Sequence, residues 1–279
     1  MSYKYKHINN KNILITGSTN GIGLALAKRL ISNNNKIFIV GRNNNYNYIL
    51  NYLEKDNFEF INCDLSEIVG VKKLIDELKS VNTINLLINN VGSIFFEQEL
   101  NEAKIEKTFF LNYLSHFIIS LKLFDKLEKS NSPHILNVSS NVHKIYELDL
   151  NDLENQNNYN YWKAYCKSKL LNIYFTYEFY RKYKDKIRTN CIHPGFINSN
   201  FGYKHDLLSR NIIKVFKNIF AKSTNQAAIN FDKVLNDEAL NGCYLNGGNV
   251  SKSSKISYDT EISKIIWKKS LDYLKEINF

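Results

Sequence analysis

A tyrosine and a lysine four residues apart, Tyr165 and Lys169, form the pair in this sequence best suited to moving a proton. The surrounding pattern predicts a helix, which would place both side chains on one face, one turn apart. A phenol normally keeps its proton until about pH 10, and a neighbouring ammonium group lowers that pKa. The pair could therefore act as a general acid and base at neutral pH. Two solvated helix residues would show the same spacing, so the other motifs of the chain must decide.

A glycine-rich turn lies between the first predicted strand and the first predicted helix. It reads Thr16-Gly17-Ser18-Thr19-Asn20-Gly21-Ile22-Gly23. Glycines allow a tight turn and a close approach of backbone N–H groups to a pyrophosphate, and the helix N-terminus adds partial positive charge. In this strand–turn–helix setting the turn predicts a dinucleotide site, contacted by Gly17, Ser18, Thr19, Asn20, Gly21, Ile22 and Gly23.

Two further residues indicate which dinucleotide is bound. The second strand ends in Val40-Gly41-Arg42, with no acidic residue to bind the ribose 2′-hydroxyl of NAD. Arg42 is suited to pair with a 2′-phosphate instead, although a solvated turn arginine would look the same. Asp64 follows the third strand and could accept a hydrogen bond from the adenine amino group. Its alternative role is a helix N-cap, for which Ser66 is better suited.

Short β-rich runs alternate with helical patterns along the whole chain. The predicted strands are Asn12–Thr16, Lys36–Val40, Phe58–Asn62, Ile84–Asn89, His134–Ser139, Lys186–His193 and Cys243–Leu245. The predicted helices are Gly21–Ser32, a weak one near Tyr46–Glu54, Ser66–Ser80, Glu102–Lys129, Tyr161–Lys184, Thr224–Asp237 and Glu261–Ile277. This alternation predicts a Rossmann-type, doubly wound parallel α/β sheet of about seven strands, with helices on both faces.

The chain shows no linker-like stretch and no internal repeat, so we predict one domain over residues 1–279. Residues 1–11 form a short polar N-terminal extension without an apolar segment for a signal peptide or a membrane anchor. Residues 196–222 include the least regular part of the chain. Their apolar side chains suit a lid over a substrate, and an ordinary packed helix is the alternative.

The amino-acid composition limits which classes of protein this chain can belong to. Hydrophobic residues make up 44% and aromatic residues 13% of the 279 positions, which is enough for a large core. The net charge is +10, but the lysines are scattered and show no basic motif typical of nucleic-acid binding. The four cysteines have no metal-ligand spacing, which favours free thiols in a reducing compartment, and no metal site is predicted. The expected location is the cytoplasm, without a membrane span.

Several segments together resemble the motifs of the short-chain dehydrogenase/reductase family, and most of all its retinol dehydrogenase-like branch. These segments are Thr16–Gly23, Asn89-Asn90-Val91-Gly92 (with valine replacing the usual alanine), Leu111–Phe117, Asn137–His143, Ala164–Asn172 and His193-Pro194-Gly195. The resemblance extends over nearly the whole chain, and these motifs are highly specific in combination. Animal retinol dehydrogenases of this type often carry an N-terminal membrane anchor, which is not seen here.

The resemblance implies roles for four catalytic residues: Asn112, Ser140, Tyr165 and Lys169. Tyr165 would donate a proton as a carbonyl becomes an alkoxide, and Lys169 would lower the pKa of Tyr165 and hold the nicotinamide ribose. Ser140 ends the fifth strand, where its hydroxyl can reach a substrate oxygen, whereas Ser139 should point the other way. Asn112 would support a water linked to Lys169, although a helix-bending polar residue is the alternative.

The cofactor set is completed by residues that would shape the floor and wall of the site. They are Leu65, Asn90, Val91, Gly92, Pro194, Gly195, Ile197 and Ser199. His143 and His193 are expected to be mainly structural.

The expected activity is an NADP(H)-dependent interconversion of an alcohol with an aldehyde or ketone, with NADP(H) preferred over NAD(H). A hydrophobic substrate is expected, such as a retinal-like compound, a lipid aldehyde or a steroid, and a homo-oligomer is expected from relatives. The alternative is a non-catalytic nucleotide-sensing or scaffold protein on the same fold.

Overall fold

Eight strands build one sheet at the centre of the computed structural model, which describes residues 8–31, 34–42, 49, 53, 57–146, 148–195 and 224–279. The strands are β1 Asn12–Thr16, β2 Lys36–Gly41, β3 Phe58–Asn62, β4 Leu86–Asn89, β5 His134–Val138, β6 Arg188–His193, β7 Tyr244–Asn246 and β8 Asn249–Ser251. Their order is β3-β2-β1-β4-β5-β6-β7-β8, and all neighbouring pairs are parallel except β7 with β8. The doubly wound α/β fold predicted from the sequence is confirmed.

The predicted number of strands, about seven, is one too low. Strand β8 pairs antiparallel with β7 through a turn at Gly247 and Gly248, both of which have positive φ. A Gly-Gly pair between two short runs is a hairpin signal, but three-residue strands carry too little alternation to stand out.

The strand order reverses at β1, and this places the ligand site. From β1 the chain runs outward to β2 and β3, then returns to β4 on the other side of β1. The connections on the two sides therefore diverge and leave a crevice at the carboxyl ends of β1 and β4. Strand β1 is apolar on both faces, since Ile13, Leu14 and Ile15 are fully buried, as expected of a sheet covered on both sides.

Helices cover both faces of the sheet. They are α1 Gly21–Leu30, α2 Ile68–Glu77, α3 Lys107–Phe109, a π-helix at Phe110–Leu114, α4 Ser115–Lys122, α5 Phe124–Glu128, α6 Tyr161–Tyr183, α7 Asp232–Asn236 and α8 Thr260–Glu276. Residues 224–230 are also helical, and so are the two described residues, 49 and 53, of the weak helix predicted near Tyr46–Glu54. In the described part of the chain, no helix is both long enough and apolar enough to cross a membrane.

The single helix predicted over Glu102–Lys129 is wrong. The helix begins only at Lys107, because the buried Glu106 carboxylate accepts the backbone N–H groups of Thr108 and Phe109 at 2.7 Å each. It then passes through the π-helix before the α-helical geometry returns. Such one-turn π segments are rare and frequently lie at functional sites.

The side chain of Trp267 on α8 fills an aromatic cluster between α8, α6 and α4. Its ring centroid lies 4.9 Å from that of Phe117 and 6.1 Å from that of Phe175. We expect Trp267→Ala to lower the free energy of unfolding by about 3–5 kcal/mol, measured by urea denaturation. Ile265→Ala, at a 42% exposed position of the same helix, is the control and should change it by less than about 0.5 kcal/mol. Equal losses in both variants would refute a specific role for Trp267.

Candidate active site

A cavity of about 920 Å³ opens at the carboxyl edge of the sheet, in the crevice predicted by the strand order. Its volume suits a dinucleotide and a small substrate better than a single metal or ion. The predicted site residues that line it are Gly17, Thr19, Asn20, Gly21, Ile22, Gly23, Arg42, Asp64, Leu65, Asn90, Val91, Gly92, Ser140, Tyr165, Lys169 and Pro194. The fold therefore brings most of these residues together.

The glycine turn has the close packing that a pyrophosphate cradle needs. Gly17 has φ +64°, and a Cβ on it would lie 2.8 Å from the Cα of Val91. A Cβ on Gly23 would lie 2.4 Å from the Gly17 carbonyl oxygen. Asn20, the N-cap of α1, makes no side-chain capping bond, and the first turn of α1 carries no acidic residue. The N–H groups at this helix end therefore suit an anionic group, so these residues fit the diphosphate of a dinucleotide.

Asn90 fastens this turn to the end of β4. Its Nδ2 donates to the carbonyl oxygens of Thr16 at 2.9 Å and Gly17 at 3.1 Å. In return, the Thr16 hydroxyl accepts the backbone N–H groups of Asn90 and Val91 at 3.0 and 3.1 Å. The amide thus fixes the backbone of the cradle.

Ser18 does not line the cavity. Its buried hydroxyl donates to the carbonyl oxygen of Ile15 at 2.6 Å and accepts the N–H of Val40 at 3.0 Å, which ties β1 to β2. The Ser18 hydroxyl is therefore used within the fold, and the predicted contact of Ser18 with the cofactor stays a prediction.

Arg42 and Asp64 lie together at the far end of the cavity from Tyr165. The Arg42 side chain is 77% exposed, and its Nη1 lies 3.7 Å from Asp64 Oδ2. Asp64 Oδ1 accepts both the N–H and the hydroxyl of Ser66, at 2.9 and 2.7 Å. Neither Asp64 nor Ser66 caps α2. The N-cap position is Glu67, and a Glu102 carboxylate oxygen accepts the N–H of Val69 at 2.8 Å. The helix-cap alternative for Asp64 and Ser66 is thus wrong.

Ser140, Tyr165 and Lys169 meet at the other end of the cavity. The half-buried Tyr165 shares a hydrogen bond with the Ser140 hydroxyl. The Nζ of Lys169 lies 5.5 Å from the centroid of the Tyr165 ring and donates to the Val138 carbonyl oxygen at 3.3 Å. Ser139 points its hydroxyl away, to the Lys169 carbonyl oxygen at 2.7 Å. A proton donor, a second hydroxyl and a buried ammonium group thus surround one point of the cavity.

The predicted lowering of the Tyr165 pKa by Lys169 is not found. Burial raises the pKa of Tyr165 well above its ordinary value, and the Ser140 hydrogen bond opposes that rise only in part. Burial also lowers the pKa of Lys169 to about 8. Removing both groups from water disfavours their charged forms, and this effect outweighs their mutual attraction at this distance. The phenol therefore holds its proton firmly in this state.

The lowered pKa of Lys169 predicts a pH-dependent stability. The folded protein releases the Lys169 proton near pH 8, whereas an unfolded lysine keeps it to about pH 10.4. Between these values the unfolded state binds more protons, so Lys169 makes stability rise with pH. The measurement is urea denaturation of the unsubstituted protein and of Lys169→Met between pH 7.5 and 9.5. The free energy of unfolding of the unsubstituted protein minus that of the variant should rise by about 1–2 kcal/mol over this range. Other titrating groups cancel in this difference; a flat or falling difference would contradict the buried ammonium.

Asn112 lies behind the cavity wall and not in it. Within the π-helix, its Oδ1 accepts the N–H of Ser93 at 2.8 Å, and its Nδ2 donates to the Ser93 carbonyl oxygen at 2.9 Å. Its own carbonyl oxygen accepts from Asn172 Nδ2 at 2.9 Å. The geometry makes Asn112 a positioning residue for the segment after β4. Its predicted link to Lys169 through a water stays a prediction.

Two histidines near Ser140 differ in their surroundings. His143 Nδ1 faces the Ser140 carbonyl oxygen at 2.7 Å and so must carry the proton, while Nε2 accepts the N–H of Ser254 at 3.0 Å. His143 is thus fully partnered and structural. His193 lines the cavity, and neither of its ring nitrogens has a hydrogen-bond partner among the described residues. Within the same residues, no group of three or more His, Cys, Asp or Glu could hold a metal ion.

The remaining residues predicted to contact the cofactor or to cover the substrate either fall outside the described residues or do not line the cavity. Ile197, Ser199 and the predicted lid at 196–222 fall outside the described residues. Gly195 is not part of the lining: it has φ +91°, and a Cβ on it would lie 2.8 Å from Asn230 Nδ2, so its role there is close packing.

The sequence prediction missed one wall of the cavity. This wall is the segment Ser93–Glu99, with Leu111 and Val138 beside it. The available signal was the apolar run Ile94-Phe95-Phe96, which begins two residues after the glycine that ends Asn89-Asn90-Val91-Gly92. The ring of Phe96 contacts that of Tyr161 at 5.3 Å between centroids.

Known proteins resemble this chain in sequence and in fold. A family model described as short chain dehydrogenase matches residues 11–206. Polyprenol dehydrogenase of Homo sapiens is 29% identical over 276 residues, covering 93% of this chain and 83% of that protein. Retinol dehydrogenase 11 of Homo sapiens is 27% identical over 285 residues, covering 95% and 86%. The structure of the angucycline C-6 ketoreductase LanV with bound NADP has a TM-score of 0.65 at 16% identity, covering 89% of this chain and 98% of that one.

The structural likeness, at that identity, shows the fold alone, whereas the family match spans the glycine turn, the Ser140 strand and the Tyr165 helix. The chain therefore belongs to the short-chain dehydrogenase family, in its retinol dehydrogenase-like branch, and is an oxidoreductase that acts on CH–OH donors with a nicotinamide cofactor.

Proposed function

We propose that this enzyme is an NADP(H)-dependent carbonyl reductase for hydrophobic aldehydes or ketones, with Tyr165 as its general acid and base. The observation that carries the proposal is the grouping of Ser140, Tyr165 and Lys169 in the same cavity as the glycine cradle. A dinucleotide bound to the cradle would extend along the cavity toward these groups. This arrangement suits a reaction at one carbonyl carbon.

Each side chain has a task in such a reduction. The hydroxyl of Ser140 would hold the substrate carbonyl oxygen, and Tyr165 would donate its proton to that oxygen as negative charge develops. The reduced nicotinamide, when bound, supplies the hydride. With its raised pKa, Tyr165 is protonated at neutral pH, which is the form that donates a proton in reduction. Lys169 would hold the nicotinamide ribose and place positive charge near the phenol.

The preference for NADP(H) is proposed from the end of β2. The Arg42 guanidinium is mostly exposed at the cavity edge, and the residue at this position is not an acid that would repel a 2′-phosphate. Arg42 could bind such a phosphate with charge-assisted hydrogen bonds while Asp64 remains close to the adenine side. The bound NADP in the LanV structure is consistent with this choice.

The hydrophobic substrate is proposed from the wall formed by Ser93–Glu99. Phe95 and Phe96 line the cavity, and the ring pair of Phe96 and Tyr161 stands at its edge. Aromatic and aliphatic side chains at this end would cover the body of an apolar substrate whose carbonyl points at Ser140. The names of the relatives, polyprenol and retinol dehydrogenases, fit an apolar alcohol or carbonyl compound.

The test is NADPH consumption, followed by absorbance, with a panel of aliphatic, retinoid and steroid carbonyl compounds, together with NADP⁺ reduction by the matching alcohols. Turnover of at least one apolar carbonyl compound would support the proposal. Tight NADPH binding without turnover of any compound in either direction would contradict it and favour the non-catalytic nucleotide-binding alternative.

A further inference from the structure

The cavity wall Ser93–Glu99 has no regular secondary structure of its own. Its backbone forms neither helix nor strand, and Ser93 and Phe96–Glu99 are exposed. Such a segment keeps one shape only where other parts of the fold bind its backbone polar groups. The positions of Phe95 and Phe96 in the cavity therefore depend on a small number of hydrogen bonds to this segment.

Both ends of the wall are held by residues of the segment that follows it in the chain. At the first end, the Asn112 amide binds the N–H and the carbonyl oxygen of Ser93 at 2.8 and 2.9 Å. At the other end, the Glu99 carbonyl oxygen accepts the backbone N–H of Lys107 at 2.9 Å. These bonds lie outside the apolar middle of the wall, Ile94-Phe95-Phe96.

The middle of the wall is held by the hydroxyl of Tyr159. It donates to the Phe95 carbonyl oxygen at 2.6 Å, and it lies 3.2 Å from the hydroxyl of the buried Thr108. Burial raises the pKa of Tyr159 to about 12, so the hydroxyl keeps its proton and remains a donor at neutral pH. The bond fixes the peptide group that joins Phe95 to Phe96, the two aromatic residues of the wall.

Tyr159 also lies directly before the helix that carries the proton donor. Helix α6 begins at Tyr161, and the side chain of Asn160 caps it by accepting two backbone N–H groups. Tyr165 lies on the second turn of the same helix. The ring of Tyr161 in turn contacts that of Phe96, at 5.3 Å between centroids. The hydroxyl bond and the ring contact together fix the wall relative to Tyr165.

We propose that Tyr159 is a positioning residue for substrate specificity, whose hydroxyl holds Phe95 and Phe96 against the apolar body of the substrate while the carbonyl group lies at Tyr165. This inference rests on the proposed function and narrows its substrate class to carbonyl compounds whose apolar body is long enough to reach the wall. Tyr159 does not line the cavity itself, so it acts through the wall. Short carbonyl compounds would react without this contact.

A series of unbranched aldehydes from propanal to decanal, reduced with NADPH, tests the proposal. Each CH₂ group that is buried against an apolar wall raises kcat/KM by up to about fourfold. We expect Tyr159→Phe to lower this gain to less than about twofold per CH₂ group, because the wall is no longer held in place. The loss should lie in KM, with kcat for decanal changed by less than about threefold, since the wall binds substrate and transition state alike. The value of kcat/KM for propanal should stay within about twofold.

Tyr174→Phe is the matched control. Tyr174 lies on the same helix, and its hydroxyl donates to the Ile256 carbonyl oxygen at 2.7 Å, away from the cavity lining. Burial raises its pKa to about 12, as it does for Tyr159. The variant therefore loses a comparable hydrogen bond without affecting the wall, and its gain per CH₂ group should equal that of the unsubstituted protein. An unchanged gain in Tyr159→Phe, or an equal decrease in both variants, would overturn the proposal.

Binding measurements separate this inference from the proposed function. The unbranched alcohols from 1-hexanol to 1-decanol do not react with the NADPH-loaded protein, so their dissociation constants can be measured by calorimetry. Thermal melting shows that each variant is folded. A smaller gain in affinity per CH₂ group in Tyr159→Phe than in Tyr174→Phe supports the inference even if no aldehyde is reduced, a result that would count against the proposed function alone. Equal gains in the two variants would overturn the inference.

Discussion

Replacing Tyr165 by phenylalanine is expected to lower kcat for carbonyl reduction by a factor of about 10²–10⁴, with NADPH affinity nearly unchanged. The aromatic ring keeps its place beside Lys169, whose Nζ lies 5.5 Å from the ring centroid. Only the hydroxyl is lost, and with it both the proton donor and the partner of Ser140. The measurement is the steady-state rate at saturating substrate, with the dissociation constant of NADPH determined by fluorescence.

A matched control lies one turn earlier on the same helix. Tyr161→Phe removes a hydroxyl from a ring that contacts Phe96 at the cavity edge, so kcat should change by less than about threefold. If Tyr165→Phe were as active as Tyr161→Phe, proton donation by Tyr165 would have to be abandoned. A large loss of NADPH affinity in Tyr165→Phe would instead assign the hydroxyl to cofactor binding.

Replacing Arg42 by alanine is expected to weaken NADPH binding by about 1.5–3 kcal/mol, on the order of 10- to 150-fold. NADH lacks the 2′-phosphate, so its affinity should change by no more than about twofold. The reason is the loss of a charged hydrogen bond from a guanidinium that reaches the cavity edge close to Asp64. The dissociation constants of NADPH and NADH, measured at the same ionic strength, give the affinity ratio that tests this prediction.

Lys36→Ala controls for net charge. Lys36 begins the same strand at its opposite end, where it pairs with Glu59 at 2.8 Å and does not line the cavity. Its removal should leave the NADPH to NADH affinity ratio unchanged. A similar ratio in Arg42→Ala and Lys36→Ala would mean that Arg42 is a solvated turn residue, the alternative raised by the sequence.

Local sequence signals predicted most of the fold because each depends on neighbours in the chain. The bounds of β1 and β3 are as predicted, and α6 ends one residue earlier than expected. Such elements combine a continuous apolar run or a helical period with clear flanking residues. Strand β8 was missed because three residues carry no usable period.

The candidate site was predictable as a set of residues but not as a set of interactions. The glycine turn, Ser140, Tyr165 and Lys169 follow strands or lie on a long helix, and parallel strand ends meet at one edge. The π-helix around Asn112 depends on hydrogen bonds to Ser93 and Asn172, which are distant in sequence. The pKa of Tyr165 depends on how much water the folded site excludes. The spacing of two residues along a helix does not determine that.

Helix α8 also has a consequence for synthesis. It follows every other described element in the chain, so the ribosome completes the sheet, α4 and α6 before α8 is translated. A chain in which α8 has not docked would leave uncovered the rings of Phe117 and Phe175 that contact Trp267. Because exposed apolar surface makes partly folded chains prone to aggregation, docking of α8 is the step that removes this surface from solvent.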